Sequence, residues 1–250
     1  LARRQWRPGN HSFDLSGMMF RDSNVLPIAA NTATEQSISN RITEQQVYTL
    51  RYNYADPSMP LLNPQVVVYH NHVLLQEQRR TGTRARDTTD QTTNGIDAQN
   101  NSRFSLFGWD NHIVTLGTEF YRDDQEGTQN GRRRAQFPTA SQDVLGIYGQ
   151  DQIAMGDFTL VGALRYDAFS QSADNAPNDT NVDRLSPKVS LAYQALPWLQ
   201  PYVSYAEAFR APSLTELYVS GQHFPGNLFI PNPYLQPGTS HNIEPGVNTR

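Results

Sequence analysis

A single histidine, His223, lies in a long stretch that is rich in proline, glycine and aromatic residues, SGQHFPGNLFIPNPYL. A neutral imidazole nitrogen is a common metal ligand in proteins. Pro225, Pro231 and Pro233 restrict the backbone of the stretch, which lowers the entropic cost of holding a ligand there. A lone histidine in a loop is otherwise usually solvated, so the chemistry open to His223 depends on the elements that position it.

The other five histidines are weaker candidates. His70 and His72 are two residues apart on one face of a predicted strand, where they could bind a metal only with further ligands. We expect them to form a polar pair. If the strands of the chain close into a β-barrel, this pair should face its lumen. His11, His112 and His241 fall at predicted strand ends and are expected to be solvated, with His241 a distant candidate for a supporting role near the proline-rich stretch.

Composition and motifs exclude several classes of function. The 250-residue chain has no cysteine, which removes disulfides, thiolate nucleophiles and thiolate metal sites. Its net charge of -4 argues against nucleic-acid binding. It contains no G-x-S-x-G, H-E-x-x-H, P-loop or G-x-G-x-x-G motif, so we expect no enzyme activity.

Strand-like alternation recurs along the whole chain and predicts an all-β fold. In VYTLRYNY, for example, Tyr48 and Leu50 fall on one face of the strand, whereas Thr49 and Arg51 fall on the other. No segment shows a 3.6-residue period of helical length. The pattern predicts ten strands, near residues 11–20, 45–55, 65–79, 102–108, 113–122, 143–154, 158–170, 184–195, 198–209 and 241–250.

The predicted connections alternate in length. The long ones are 21–44, 80–101, 123–142, 171–183 and 210–240; the short ones are 56–64, 109–112, 155–157 and 196–197. An antiparallel up-and-down meander with its long loops at one end is typical of transmembrane β-barrels, which have short periplasmic turns and long extracellular loops. The long loops, including 210–240, are therefore expected to face the outside of the cell.

The predicted strands do not form a complete barrel. A free strand edge cannot be left open in lipid, so about ten strands would be an arc of a larger barrel. The chain starts without a signal peptide and stops at EPGVNTR, within a predicted strand. We therefore expect a fragment of a larger protein.

Two short motifs flank His223. FRAP (Phe209, Arg210, Ala211 and Pro212) is followed by SLTELY, then by His223 and Phe224, then by NPYL (Asn232, Pro233, Tyr234 and Leu235). This order resembles the FRAP and NPNL boxes of TonB-dependent outer-membrane haem receptors, of the HasR type and the haem–haemoglobin receptor family. The segment SPKVSLAYQALPWLQPYVSYAEAFRAP is similar to the strand pair that precedes the first box. The downstream SHNIEPGVN is closest to haemophore-dependent receptors, so the resemblance is concentrated in residues 184–248.

The resemblance implies a 22-stranded barrel with an N-terminal plug, located in the bacterial outer membrane. Residues 1–250 would then be a partial barrel that lacks the plug. The implied function is a receptor that binds haem at its extracellular loops and imports it with energy supplied by the TonB complex. A haemophore or haemoglobin would deliver the haem, and the weak SHNIEPGVN match favours a haemophore.

The resemblance also implies a ligand set within a haem-ligand loop at about 210–240. The histidine between the two boxes is an axial ligand of haem iron in that family, and this role falls on His223; the plug would supply the second ligand. Imidazole is a good donor to haem iron, and nearby apolar groups such as Phe224 and Tyr218 could cover the macrocycle. Arg210 is a candidate cation for the haem propionates, as are the loop arginines.

The second box departs from the family pattern. Tyr234 stands where the family has asparagine, and Gln236 and Gly238 stand where an arginine and a glutamate are common. The loss of that arginine and glutamate removes a salt bridge that could anchor the loop. It does not affect the role implied for His223.

An arginine run, Arg132–Arg134, together with Arg84 and Arg86, predicts a cationic loop surface. Such a surface could meet lipopolysaccharide phosphates or an acidic partner protein. A solvated loop tip explains the same residues equally well.

Three functions remain open at this point. The first is haem import, and the second is a TonB-dependent receptor for a different cargo such as a ferric siderophore. The third is an outer-membrane barrel enzyme resembling a phospholipase, which would need a Ser–His–acid or Ser–His–Asn set at membrane level. A soluble β-sandwich fits poorly because its loops would not be sorted by length.

Overall fold

The computed structural model describes residues 2–27, 38–80, 82–106, 108–176, 179–224 and 226–249; within these ranges, the side chains at 27, 109, 110, 222–224 and 227 are outside the description. Its elements, in chain order, are β1 (Ala2–Trp6), β2 (His11–Pro27), β3 (Ile38–Tyr54), β4 (Pro64–Arg79), β5 (Arg86–Leu106), β6 (Trp109–Gln129), β7 (Arg132–Arg133), β8 (Ala140–Met155), β9 (Phe158–Ala173), β10 (Thr180–Tyr193), β11 (Leu199–Arg210), α1 (Leu214–Tyr218), β12 (Gly221–Phe224), β13 (Asn227–Phe229) and β14 (Gly238–Thr249).

One antiparallel sheet contains nearly all of these strands. Its neighbours follow chain order from β1 to β11, except that β7 pairs only with β6, and β14 completes the sheet beside β11. Strands β12 and β13 form a separate two-stranded hairpin. The predicted all-β, up-and-down meander is confirmed, and the ten predicted strands correspond to the ten long strands of the sheet.

The sheet has one apolar face and one polar face. The strand register aligns six apolar side chains in a single row across β2 to β8, and all six are exposed: Leu15, Leu50, Val68, Ile96, Phe120 and Leu145. On the opposite face Arg165 forms ion pairs with Glu119 at 3.0 Å and with Asp167 at 2.8 Å. An apolar outer face and a polar lumen are the arrangement of a transmembrane barrel.

The predicted sorting of the connections by length holds only in part: the longest connection lies at the loop end, but 55–63 at the turn end is longer than 80–85 and 174–179 at the loop end. The turn end of the sheet has the connections 7–10, 55–63, 107–108, 156–157 and 194–198. The loop end has 28–37, 80–85, 130–139, 174–179 and 211–237, of which 28–37 lies outside the described residues.

Several strands are longer than the sequence predicts, and the extra length lies at the loop end. The largest error concerns β5, predicted near 102–108 with 80–101 as a loop; it begins at Arg86 and pairs with β4 and β6 along its length. Its first half, RDTTDQTTN, is polar on both faces. A strand that projects beyond the apolar band has water on both faces, so the alternation that marks a half-buried strand is lost. Strand β1 was not predicted either.

Three histidines differ from expectation. His70 and His72 share the face of Val68, so they face outward, and the prediction that they face the lumen is wrong. His112, predicted to be solvated, is buried: its Nδ1 lies 2.8 Å from Asp151 and its ring stacks on Phe104 with centroids 5.2 Å apart. His11 and His241 are exposed, as predicted.

Within the described ranges no helix is long and apolar enough to span a membrane.

Candidate functional site

The longest connection at the loop end, residues 211–237 between β11 and β14, folds back over the sheet. We call it the β11–β14 loop. Its helix α1 packs on the lumen-facing side of β8 and β9 through Ala140, with Ala173 beside it. The segment that carries the two motifs is therefore held across the mouth of the sheet at the loop end.

Local sequence explains why α1 forms where it does. Ser213 is the N-cap residue: its Oγ accepts a hydrogen bond from the Glu216 N–H at 3.2 Å, and the Glu216 carboxylate accepts one from the Ser213 N–H at 2.8 Å. This reciprocal pair is a capping box, which satisfies two backbone donors at the start of a helix. A helix of five residues is too short to be stable alone, so packing must hold it.

That packing comes from three helix residues. Leu214, Leu217 and Tyr218 are buried, the last two with 0% and 1% exposure, and they form a cluster with Ala140. Burying each such side chain contributes roughly 1.5–3 kcal/mol. Leu235 of the second motif packs against the same cluster.

Polar contacts from distant strands fix the helix in place. The Tyr218 hydroxyl donates to the Gln171 carbonyl at 3.1 Å and lies 3.2 Å from Thr180 Oγ1. The buried Gln171 amide donates to the Pro212 carbonyl at 2.7 Å, and the Asn175 amide donates to the Tyr218 carbonyl at 2.9 Å. The sequence did not reveal these anchors, because nothing local marks residues about 40 positions away as partners of the loop.

The helix also joins the two motifs. The Asn232 N–H donates to the Leu217 carbonyl at 2.9 Å, and Thr180 Oγ1 donates to the Pro233 carbonyl at 3.1 Å. The side chain of Tyr234, the departure from the family pattern, is 77% exposed. FRAP and NPYL therefore lie on either side of α1 in one packed unit, although 19 residues separate them in the sequence.

Arg210 is held by an acidic neighbour. Its two terminal nitrogens lie 2.7 and 3.0 Å from the two carboxylate oxygens of Glu216. Hydrogen bonds from the Arg210 guanidinium, and then from the Ser213 backbone and hydroxyl, lower the pKa of Glu216 to about 2. The loop thus has an ion pair within the first motif and α1, although the arginine and glutamate expected after the second motif are missing.

The β12–β13 hairpin carries the predicted iron ligand. The backbone of His223 lies in β12, whereas its side chain and that of Phe224 lie outside the described part of the chain. The hairpin starts at Gly221, whose φ of +86° favours glycine. Ser220 fixes this start, since its N–H and its hydroxyl donate to the Ala135 carbonyl at 3.1 and 2.9 Å. Leu228 and Ile230 at the other end are 65% and 77% exposed.

Two predicted site residues have partners within the protein. Tyr218, predicted to cover a bound macrocycle, is buried beneath the loop, and its hydroxyl donates a hydrogen bond to the Gln171 carbonyl. Arg210, predicted to pair with an acidic ligand group, is paired with Glu216. Phe209 lies against Phe169 edge to face, with centroids 5.5 Å apart, and so ties the first motif to β9.

The described residues contain no group of three or more His, Cys, Asp or Glu side chains that could hold a metal ion. His70 and His72 instead hydrogen-bond to Asn94 at 2.8 Å and Asp90 at 3.1 Å.

Comparison with known proteins gives relatives over the whole chain. It is 31% identical over 265 residues to the hemin receptor of Yersinia pestis, a match that covers 100% of this chain and 38% of the relative. It is 33% identical over 226 residues to the heme/hemopexin utilization protein C of Haemophilus influenzae, covering 83% of this chain and 30% of that protein. The chain thus spans between a quarter and two fifths of the length of these relatives.

Its fold matches a solved structure of the Serratia marcescens hemophore receptor HasR, a double mutant in complex with its hemophore HasA and heme. The TM-score is 0.82 at 22% identity, over 98% of this chain and 41% of that chain. The model of the TonB dependent receptor-like β-barrel family matches residues 2–249. The chain belongs to this family of bacterial outer-membrane receptor barrels.

Proposed function

We propose that the chain is the cargo-binding part of an outer-membrane receptor that captures haem outside the cell and imports it with energy from the TonB complex. The loop end is then extracellular, and the haem site lies in residues 210–240. The observation that carries the proposal is the packed unit of FRAP, α1 and NPYL, which presents the β12–β13 hairpin with His223 at the mouth of the barrel.

His223 is proposed as an axial ligand of haem iron. A neutral imidazole is a strong donor to haem iron, and an apolar surround protects the macrocycle from water. Phe224 is adjacent in sequence, and the exposed Leu228 on the facing strand of the hairpin supplies apolar surface. Tyr218 and Arg210 then act indirectly, as anchors of the unit that presents the hairpin. The second axial ligand is assigned to the plug domain of the receptor.

The relatives support haem over other cargoes. The Yersinia and Haemophilus proteins are named for hemin and for heme/hemopexin. The fold alone does not choose the cargo, because one fold hosts many functions. We propose that a haem-carrying protein is the source of the haem, and we favour a haemophore over haemoglobin.

Transport is proposed in preference to catalysis. In the described part of the chain no serine hydroxyl hydrogen-bonds to a histidine ring: the ring partners are Tyr52, Asn94, Asp90, Asp151 and Tyr205. The triad arrangement of a hydrolase needs such a pair.

Growth of a bacterium that makes its own haem but lacks its own haem and siderophore receptors tests the function. The strain expresses the full-length protein, and either haem or a ferric siderophore is its only iron source. We expect growth on haem only, and none when the TonB gene is deleted. Growth on the siderophore, or on haem without TonB, would contradict the proposal.

A further inference from the structure

Arginines are concentrated at two neighbouring tips of the loop end. The β4–β5 tip carries four of them, and residues 132–136, which we call the arginine arm, carry three more: Arg79, Arg80, Arg84, Arg86, Arg132, Arg133 and Arg134. Among the described residues, Asp87 and Asp174 are the acids that form ion pairs with these side chains. The two tips therefore carry a net positive charge.

The two tips form one unit. The Asn130 N–H donates to the Arg86 carbonyl at 2.8 Å, and the Arg86 N–H donates to the Asn130 side-chain oxygen at 2.9 Å. The Gln129 amide donates to the buried Asp87 carboxylate at 2.8 Å. The arginine arm is thus fixed at its base by the neighbouring strand.

The arginine arm also touches the element that carries His223. The Ala135 carbonyl accepts both hydrogen bonds from Ser220, the residue before the β12–β13 hairpin. A Cβ placed on Gly221 would lie 3.5 Å from Ala135 Cβ, which is ordinary contact. The cationic arm and the start of the hairpin are therefore side by side.

The three arginines of the arm differ in their partners. Arg133 lies 2.6 Å from Asp174, and the half-buried Arg134 lies 4.0 Å from Asp87. Arg132 is exposed, and no acceptor for its guanidinium occurs among the described residues. Arg210 is paired with Glu216, so Arg132 is the arginine of the arm that is open to an anionic ligand, and it lies three residues from Ala135, which contacts the start of the hairpin.

We propose that Arg132, held by the arginine arm beside the β12–β13 hairpin, binds a propionate carboxylate of the haem and so selects tetrapyrroles that carry free carboxylates. A planar guanidinium pairs with a carboxylate through two parallel hydrogen bonds. Lipopolysaccharide phosphates offer the same anionic chemistry, but the contact with the hairpin favours the cargo. This assignment rests on the proposed haem-binding function.

The test compares two ligands on the full-length receptor, ferric haem and its dimethyl ester, which has no free carboxylate. Arg132→Glu is expected to weaken haem binding about tenfold. The substitution removes one partly exposed ion pair and puts a second carboxylate next to the propionate. Arg132→Gln is expected to weaken it less, and binding of the ester is expected to stay unchanged in both variants. Arg103→Glu, which changes an exposed arginine near the turn end, is the matched control and should leave both affinities unchanged.

Equal effects of Arg132→Glu on haem and on the ester, or no effect on either, would overturn the assignment. Unchanged haem binding with reduced binding to vesicles of purified lipopolysaccharide would overturn it in favour of a lipid phosphate site. If the unmodified receptor binds neither haem nor the ester, the haem-binding function itself fails, and this result is distinct from the others.

Discussion

At the scale of single residues, Glu216 connects the first motif to the helix. It accepts hydrogen bonds from Arg210 and from the Ser213 N–H, and these contacts lower its pKa to about 2 from the ordinary 4.5. A carboxyl whose pKa is depressed in the folded state stabilises that state above its ordinary pKa, and this contribution is lost as the pH falls toward the folded value. Because the Glu216 side chain is 40% exposed, solvent screening reduces the contribution.

The loop should therefore loosen in acid. We expect the hydrogen-exchange protection of residues 213–219, corrected for the intrinsic exchange rate, to be constant above pH 4.5 and to fall between pH 4.5 and about 2. In Glu216→Gln the protection should be lower at neutral pH and should change less over that range. Glu126→Gln, at an exposed position on β6, serves as the control. A native profile that matches that of Glu216→Gln would show that the ion pair does not order the loop.

Residues of the site were predictable only where the sequence carries a local signal. The two motifs and His223 stand out because their spacing and composition are unusual for a loop. Gln171 and Asn175 carry no such mark, since each is an ordinary polar residue that meets the loop only after the strands align. The burial of Tyr218 has no local signal in the sequence for the same reason: its partners lie on β9 and β10.

At the scale of elements, close packing around one glycine fixes the arginine arm. A Cβ on Gly127 would overlap the carbonyl oxygen of Phe137 and lie 2.6 Å from its Cβ. The Arg134 N–H donates to the Gly127 carbonyl at 3.0 Å, so the same residue also anchors the arm through its backbone. The atom that a Cβ would overlap is a backbone oxygen, which cannot rotate away as the tip of a side chain can.

Gly127→Ala is therefore expected to displace the arm at a cost of about 1–3 kcal/mol, as for other overpacked sites. Limited trypsin digestion should cut the variant faster after Arg132–Arg134 than the unmodified receptor. Gly162→Ala is the matched control, because a Cβ there would meet no atom within 4 Å. Equal cleavage of the two variants would mean that Gly127 does not hold the arm.

The elements were predicted well where one face is apolar and poorly elsewhere. The prediction for β9, near 158–170, agrees with Phe158–Ala173, because apolar and polar residues alternate through most of the strand. The first half of β5 has the composition of a loop because both of its faces are polar. It pairs with β4 and β6 through hydrogen bonds between backbone groups, and the amino-acid composition does not reveal these bonds.

At the scale of the whole molecule, the row of apolar residues defines which face meets lipid. Val67 and Val68 are neighbours on β4 and point to opposite faces, with Val68 in the apolar row and Val67 paired with Asp97 of β5. Arginine on the lipid face of a barrel costs about 2–4 kcal/mol at the bilayer midplane. Arginine that faces the polar lumen does not enter lipid, so it does not carry this energetic cost.

Val68→Arg should therefore destabilise the full-length receptor in lipid vesicles by about 2–4 kcal/mol, measured by urea titration. Val67→Arg should cost clearly less. If Val67→Arg were the more damaging of the two, the assignment of the faces would be reversed.

For the receptor as a whole, we propose that the β11–β14 loop binds haem through His223. The most direct measurement is the Soret spectrum and haem affinity of the full-length receptor, compared between His223→Ala and His241→Ala. His241 is exposed on β14, where it contacts Tyr205, so its loss controls for removal of a histidine at the loop end. We expect His223→Ala to shift the Soret band and to weaken haem binding by about tenfold or more, whereas His241→Ala should change neither. An unchanged Soret band and affinity in His223→Ala would overturn the assignment of His223.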